Sequence, residues 1–418
     1  MNNNRNNLFP ALAFVAFAAG CSGGGGGASS NVATSPPPPP PPTDQWTQVR
    51  TDFNNSSITD MTLEVGDDTG TLLVVQKGTA VAHDTTVVLD SVTKWVSGAV
   101  IMTMYEQGKL SLSDTPETYI TSWTSDSSDP RSQMTLAQLL NFTAGFPWTP
   151  SDSLSHITDP EGCFYNGLLT FDECLQDYYG ASASVLQTPV GSTYTYGAGP
   201  LQTAGAMAIF QKFGNDTGGA QSWDTLFHQQ VADPMGLTNL HYNQDQQGSN
   251  VPIADGLDMS ADQMAVFSQT ALTGTSPLTG QPVPNFLQAL EDMDYDAWDK
   301  STPQILLGAG NGVANVFYSP IQSSIQEPWH YGRAVWLACH SSVWTPTSDP
   351  GNCAAHHSVY AAGAQGFTTW INRDHNYWAV LSMQQTLDDS GVVATALTLA
   401  EQLETDIATA HPGPTPAQ

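Results

Sequence analysis

The stretch that decides the fold is DSVTKWVSGAVIMTMYEQGKLSLSD, residues 90–114. Apolar residues recur through it at helical spacing and Gly108 is a fitting C-terminal stop, so it reads as a buried helix beginning at or just before Ser91. Ser91 and Lys94 stand in its first turn as S-x-x-K. Positions three apart share a helix face, which puts the ammonium within reach of the hydroxyl. Burial disfavours the charged form of a lysine and makes it a usable base. A helix N-terminus adds backbone donors that favour negative charge beside the serine. Alone, the four-residue pattern is weak, because most such matches are helix caps with surface lysines. The apolar run after Lys94 separates this one from them, and in a chain with only five lysines it stands out.

Outward from this helix, Thr71 to Gln76 reads as a β-branched strand and Val87 to Leu89 as a short extended lead into Asp90. Helical spacing marks Thr135 to Phe142, Pro200 to Phe213, Trp223 to Asp233, Ser260 to Leu272 and Pro284 to Asp292. After His330 the character changes: Tyr331 to Cys339, Ser358 to Ala362, Gly366 to Asn372 and Tyr377 to Met383 read as strands, and Val392 to Ala410 as a closing amphipathic helix. Strand and helix at both ends with a helical middle predict an α+β fold: an antiparallel sheet lobe, about 60–108 and 325–412, and an inserted helical lobe, about 109–324.

The chain has 418 residues, 40% hydrophobic, enough for one large domain or two intimate lobes. Its 10 Lys plus Arg against 39 Asp plus Glu give a formal charge of −29, which repels polyphosphate and argues against nucleic-acid binding. The first 20 residues read as an export signal, with an apolar stretch from Leu8 to Ala19 running into Ala19-Gly20-Cys21. Small residues before a Cys resemble a bacterial lipobox, so lipidation at Cys21 and an outer-membrane or cell-surface location are expected; an ordinary signal peptide is the alternative. Residues 21–44, rich in Gly and Pro, read as a tether, and 45–414 as the folded domain. The remaining cysteines, Cys163, Cys174, Cys339 and Cys353, form two close pairs, as expected of two local disulfides in an exported protein. Other pairings and free thiols stay open at this point.

DSVTKWVSGAVIMTMYEQGKLSLSDTPETYI resembles the nucleophile helix of serine β-lactamases, DD-peptidases and related esterases. Collinear blocks extend the resemblance: MTLAQLLNFTAGFP from Met134, PVGSTYTYGAGPLQTAGAMA from Pro189, DPMGLTNLHY from Asp233, GLDMSADQMAVFSQTALTG from Gly256, HYGRAVWL from His330 and YAAGAQGFTTWINRD from Tyr360. The resemblance implies a β-lactamase/transpeptidase-like fold, Ser91 as nucleophile, Lys94 as proton acceptor and Tyr196 as the catalytic tyrosine, with Tyr194 its rival. It also implies an oxyanion hole from the backbone N–H groups of Ser91 and Ala364. Substrate-facing positions carry over to Ala198, Ala361 and Gly363. Two departures are visible: Ala198 stands where the family's Y-x-N element has Asn, and Ala361-Ala362-Gly363 replaces K-T-G or H-x-G. Both weaken the case for β-lactams and leave the nucleophile machinery whole. Arg333 is the residue able to restore a cation.

Other candidates are weaker. No G-x-S-x-G is present, and neither C-x-x-C nor H-E-x-x-H supports a metal, so neither metal nor cofactor is expected. His356 and His357 read as a polar strand edge. Trp148, Trp329, Trp336 and Trp344 read as core or as pocket lining. The expectation is a serine hydrolase forming an acyl-enzyme with a small neutral ester or amide. The alternatives are a β-lactamase or DD-carboxypeptidase on β-lactam-like substrates, and a non-catalytic binding protein.

Overall fold

A computed structural model describes residues 44–146, 163–164, 169–179, 186, 188–214, 220–242, 250–283, 315–318, 329–338, 358–385 and 391–413. Its framework is a seven-stranded antiparallel sheet made from both parts of the chain that flank the helical middle. The first part gives β1 (Met61–Asp67) and β2 (Gly70–Lys77). The last gives β7 (His330–Tyr331), β8 (Trp336–Ala338), β9 (Ser358–Ala362), β10 (Thr368–Asn372) and β11 (Tyr377–Ser382). The order is β2-β1-β11-β10-β9-β8-β7, with Thr62 opposite Ser382 where the two parts join.

Each face of the sheet is covered. Helix α1 (Thr47–Asn55) packs against the closing helix, α9 (Val392–Ala410). Helix α9 sends Glu404 onto the sheet, where Ser358 Oγ and Asn372 Nδ2 donate to it at 2.6 and 2.8 Å and the Tyr360 hydroxyl donates as well. Burial is tolerable because the carboxylate is fully hydrogen-bonded. On the other face lies α8 (Ala261–Thr273), opened by a capping box between Ser260 and Gln263 and packed against β1, β10 and β11. Although α8 comes from the helical middle, it belongs to the sheet layer, so the division at 109–324 does not follow the packing.

The other helices are α2 (Thr93–Glu106), α3 (Leu136–Leu140), α4 (Phe171–Tyr179), α5 (Gly199–Phe213), α6 (Ala220–Phe227) and α7 (Asp233–Met235). A π-helical turn, His228–Ala232, joins the last two. Two small pairings complete the described fold: β3 (Val87–Val88) with β5 (Asp258–Met259), and β4 (Thr193–Thr195) with β6 (Asn315–Tyr318).

Two strand expectations are corrected. Tyr331 to Cys339 is not one strand but the β7–β8 hairpin, whose turn places Ala334 at φ 65 and Arg333 inside the protein at 5% exposure. The strand expected from Gly366 starts at Thr368, because Gly366 has φ 97 and belongs to the preceding turn. Strand β1 and helix α1 went unread. Cys163 and Cys174 form a disulfide. Residues 1–43, Trp148, the segment Pro284 to Asp292, Cys339, Trp344, Cys353, His356 and His357 lie outside the described residues.

Strand β1 carries Glu64, 2% exposed, towards Asp262 of α8, which pairs with His83 at 2.9 Å. Burial first, then the neighbouring Asp262, pushes the Glu64 carboxyl up to about 8. A glutamate in an unfolded chain titrates near ~4.3. Between these values the folded state holds a proton that the unfolded state has lost, so stability falls as pH rises through the window and levels off above about 8. Thermal unfolding should show the melting temperature of the wild type dropping between pH 5 and pH 8. The Glu64→Gln variant should drop less and be the more stable of the two at pH 8; equal slopes would refute this reading.

Candidate active site

Helix α2 is apolar almost all round, and every residue from Thr93 to Met104 is buried. Most of its polar groups are met by defined partners, the indole N–H of Trp95 excepted. It is entered through a tight turn, Asp90–Val92, in which Asp90 takes φ 45. The left-handed region costs a residue with a Cβ, and Asp tolerates it better than most. The turn is held where Leu89 N donates to Leu257 O at 3.1 Å and Leu257 N to Thr93 Oγ1 at 3.3 Å.

Lys94, 4% exposed, donates from Nζ to Ser91 Oγ at 3.0 Å and to Ala254 O at 3.1 Å. The same nitrogen stands 5.0 Å from the ring centroid of Tyr196. The structure thus brings Ser91, Lys94 and Tyr196 together. Tyr196 is half-buried, stacked on Trp336 with centroids 5.5 Å apart, and edged by Phe142 and Tyr331. Its rival Tyr194 is fully buried between Phe142 and Trp336 and has no exposed surface to offer a ligand. Trp336 is core that backs the tyrosine, and Trp329 is core packed on Tyr360.

The opposite wall is the β9–β10 turn. Gly363 packs so closely on Leu89 that a Cβ there would stand 2.4 Å from Leu89 O. Gln365 N donates to Asp90 Oδ2 at 2.9 Å. Ala364, exposed, lies between these two contacts and so beside the Ser91 turn. Burial raises the Asp90 carboxyl above its ordinary range, against the lowering pull of the Gln365 amide. Ala198 is the half-buried residue that opens α5, and Ala361 on β9 is 4% exposed. Arg333 has its carbonyl against Gly98, one helical turn beyond Lys94.

Behind the helix, Ser97 Oγ donates to Ile253 O at 2.6 Å and lies 2.7 Å from the Tyr242 hydroxyl. The segment bearing Ile253 and Ala254 is fixed by Gln202, whose Nε2 donates to Val251 O and whose Oε1 accepts from Ile253 N. Sequence reasoning missed Ala254, Gln365 and the role of Asp90. A backbone carbonyl leaves no residue-type signature, and Asp90 was legible only as the neighbour of Ser91.

Chemically, the site is a hydroxyl in hydrogen-bond contact with an amine that a carbonyl orients, under an aromatic ring. Contact with an amine is one means by which a serine hydroxyl can be activated for attack.

A family profile described as Beta-lactamase matches residues 64–403. No curated protein matches the chain. Among solved structures, a candidate β-lactamase from Bacteroides dorei DSM 17855 is 19% identical with a TM-score of 0.60, over 88% of this chain and 98% of that one. EstCE1, a hydrolase with promiscuous acyltransferase activity, is 16% identical with a TM-score of 0.59, over 86% and 97%. A candidate 6-aminohexanoate-dimer hydrolase from Bacillus anthracis is 15% identical with a TM-score of 0.58, over 85% and 81%.

The close approach at Gly363 yields a test. Gly363→Ala should fold, yet push the β9–β10 turn away from Leu89 and slow labelling of the protein by a fluorophosphonate about tenfold or more. Unchanged labelling would show that this wall does not serve the serine.

Proposed function

The chain belongs to the β-lactamase family, and on that premise we propose that it is a serine hydrolase acting through an acyl-enzyme on small neutral esters or amides. The observation that carries the reading is the 3.0 Å contact between Lys94 Nζ and Ser91 Oγ, with Lys94 buried and tied to Ala254 O. Ser91 Oγ attacks the carbonyl carbon while Lys94 takes up its proton. Tyr196, over the same amine, helps pass a proton to the leaving group. The acyl group then sits on Ser91 until water releases it. The N–H groups of Ser91 and Ala364 are the proposed oxyanion donors, each contributing ~3 kcal/mol where such donors have been removed from other hydrolases.

Substrate class follows from what the walls lack. β-Lactams and D-Ala-D-Ala peptides carry a carboxylate near the scissile bond, and a cation opposite it supplies charge-assisted hydrogen bonds. Ala361 and Ala198 supply none, and the −29 charge disfavours anions at long range. A neutral ester or amide loses nothing by this. The names of two structural neighbours, a hydrolase with acyltransferase activity and a candidate amide hydrolase, are in keeping with that range. One observation favours a β-lactamase or DD-carboxypeptidase instead: the buried Arg333, whose backbone lies one turn from Lys94. Retention of Ser91, Lys94 and Tyr196 together speaks against a silent binding protein.

Short-chain aryl esters should be hydrolysed with a kcat/KM well above that for a chromogenic cephalosporin. Ser91→Ala should lose about a thousandfold or more with its melting temperature kept, and Lys94→Ala nearly as much. A cephalosporin outrunning every ester would give the site to the second reading, with Arg333→Ala as the next variant. Near-full activity in Ser91→Ala would end the nucleophile assignment.

We also propose that lipidation at Cys21 holds the enzyme to a membrane through the Gly/Pro tether. No helix among the described residues is long and apolar enough to cross one. Cys21→Ala should move the protein from the membrane to the soluble fraction. A wild type already soluble after export would favour an ordinary signal peptide.

A further inference from the structure

Two groups of acidic and histidine side chains stand apart from Ser91. At one, both Asp262 oxygens close on His83 Nδ1 at 2.9 and 3.0 Å, and the third member, Glu64, holds its proton up to about 8. That group is an ion pair with a protonated neighbour, a poor set of ligands. The other is built differently.

Asp224 and His228 lie four apart, on the last turn of α6 and the first residue of the π-helical turn. His241 comes from the segment after α7. Its Nδ1 stands 2.7 Å from Asp224 Oδ2, and His228 Nε2 is 4.0 Å from the same oxygen. The two imidazole centroids are 5.3 Å apart. One ligand atom from each of the three residues fits within 4.8 Å of the others. Leu240 O lies 2.9 Å from His228 Nε2 and offers a fourth ligand atom.

The supporting contacts are those a metal site needs. His228 Nδ1 is 3.0 Å from Asp233 Oδ1, so the ring can donate there and turn Nε2 towards Asp224 and Leu240. Metal-binding histidines are almost always oriented by a hydrogen bond from the second nitrogen, to a carboxylate, a backbone carbonyl or water. Tyr242 N donates to Asp224 Oδ1 at 3.3 Å and leaves Oδ2 for the cluster. Asp224 and His228 are mostly buried, with side-chain exposures of 14% and 23%, whereas His241 at 63% gives an ion a way in. A π-turn inside a helix often marks a functional position, and here it begins at His228.

We propose that Asp224 Oδ2, His228 Nε2 and His241 Nδ1 bind one divalent transition-metal ion of the zinc type, with Leu240 O or water in the fourth position. Two imidazoles and a carboxylate suit a small four-coordinate ion, and the three ligand atoms, all within 4.8 Å of one another, would draw together around it. Calcium and magnesium, which take oxygen ligands, are disfavoured. The ion braces α6 against the segment Leu240–Tyr242. Tyr242 reaches Ser97 of α2, so the brace supports the back of the nucleophile helix and takes no part in acyl transfer.

The test uses metal-free full-length protein titrated with Zn²⁺ by calorimetry, and with Co²⁺ by its visible absorption. Wild type should bind one Zn²⁺ at least tenfold more tightly than His241→Ala or Asp224→Asn, with a melting temperature that rises on Zn²⁺ only in the wild type. Co²⁺ should give intense four-coordinate bands that both variants lose. Because His241 is exposed, its variant should match the metal-free wild type in melting temperature, and it decides the matter alone if Asp224→Asn is unstable. Equal Zn²⁺ affinity and stoichiometry in wild type and His241→Ala, or no binding to wild type, overturns the proposal and leaves an imidazolium shared between carboxylates.

Discussion

A helix buried on all sides carries a polar group at a cost unless something inside the protein meets it, and α2 carries several. Lys94 is met by Ala254 O, Ser97 by Ile253 O and Tyr242, and Thr93 by Leu257 N. All three backbone partners lie in one short segment that is not itself regular secondary structure there. That segment is pinned by Gln202 of α5 and, through Asn250, by the carbonyls of Cys163 and Phe164 beside the disulfide. An irregular strip of backbone thus decides where the amine sits, and the helices around it serve to hold that strip. The same contact that satisfies Lys94 also aims it at Ser91.

The serine has a second set of constraints on the opposite side. Asp90 sits in the left-handed region and spends its carboxylate on the Gln365 amide, while Gly363 lets two backbones come closer than any side chain would allow. Neither contact touches a reacting atom. Together they join the start of α2 to the end of β9, one through the Asp90 carboxylate and the other through a direct approach of two backbones.

Much of this was legible in the sequence where periodicity and chemistry coincide. The S-x-x-K ahead of an apolar run placed α2, Gly108 took the positive φ expected of a helix stop, and the pattern after Ser358 gave β9 to β11 and α9. Strand β1 escaped because it is buried on both faces, so Glu64 and Gly66 broke an alternation that does not apply to a central strand. The β7–β8 hairpin escaped because Ala334, a poor residue for φ 65, gives no turn signal. It is held there by tertiary contacts, with Ala334 N on Leu140 O. Backbone acceptors such as Ala254 O are invisible to any reading of side chains.

The position of β1 has a consequence for how the molecule comes into being. The strand lies between β2, its neighbour in sequence, and β11, near the far end of the chain. A β1–β2 hairpin alone leaves one long edge unpaired and one face bare, and such ribbons are marginal in water. The sheet therefore closes only when the last strands arrive, after a slow long-range search. A growing or truncated chain that already contains Ser91 and Lys94 lacks the wall against which they are set. The Ser91 turn is encoded early, yet its contacts with Gly363 and Gln365 can form only once the later strands are in place.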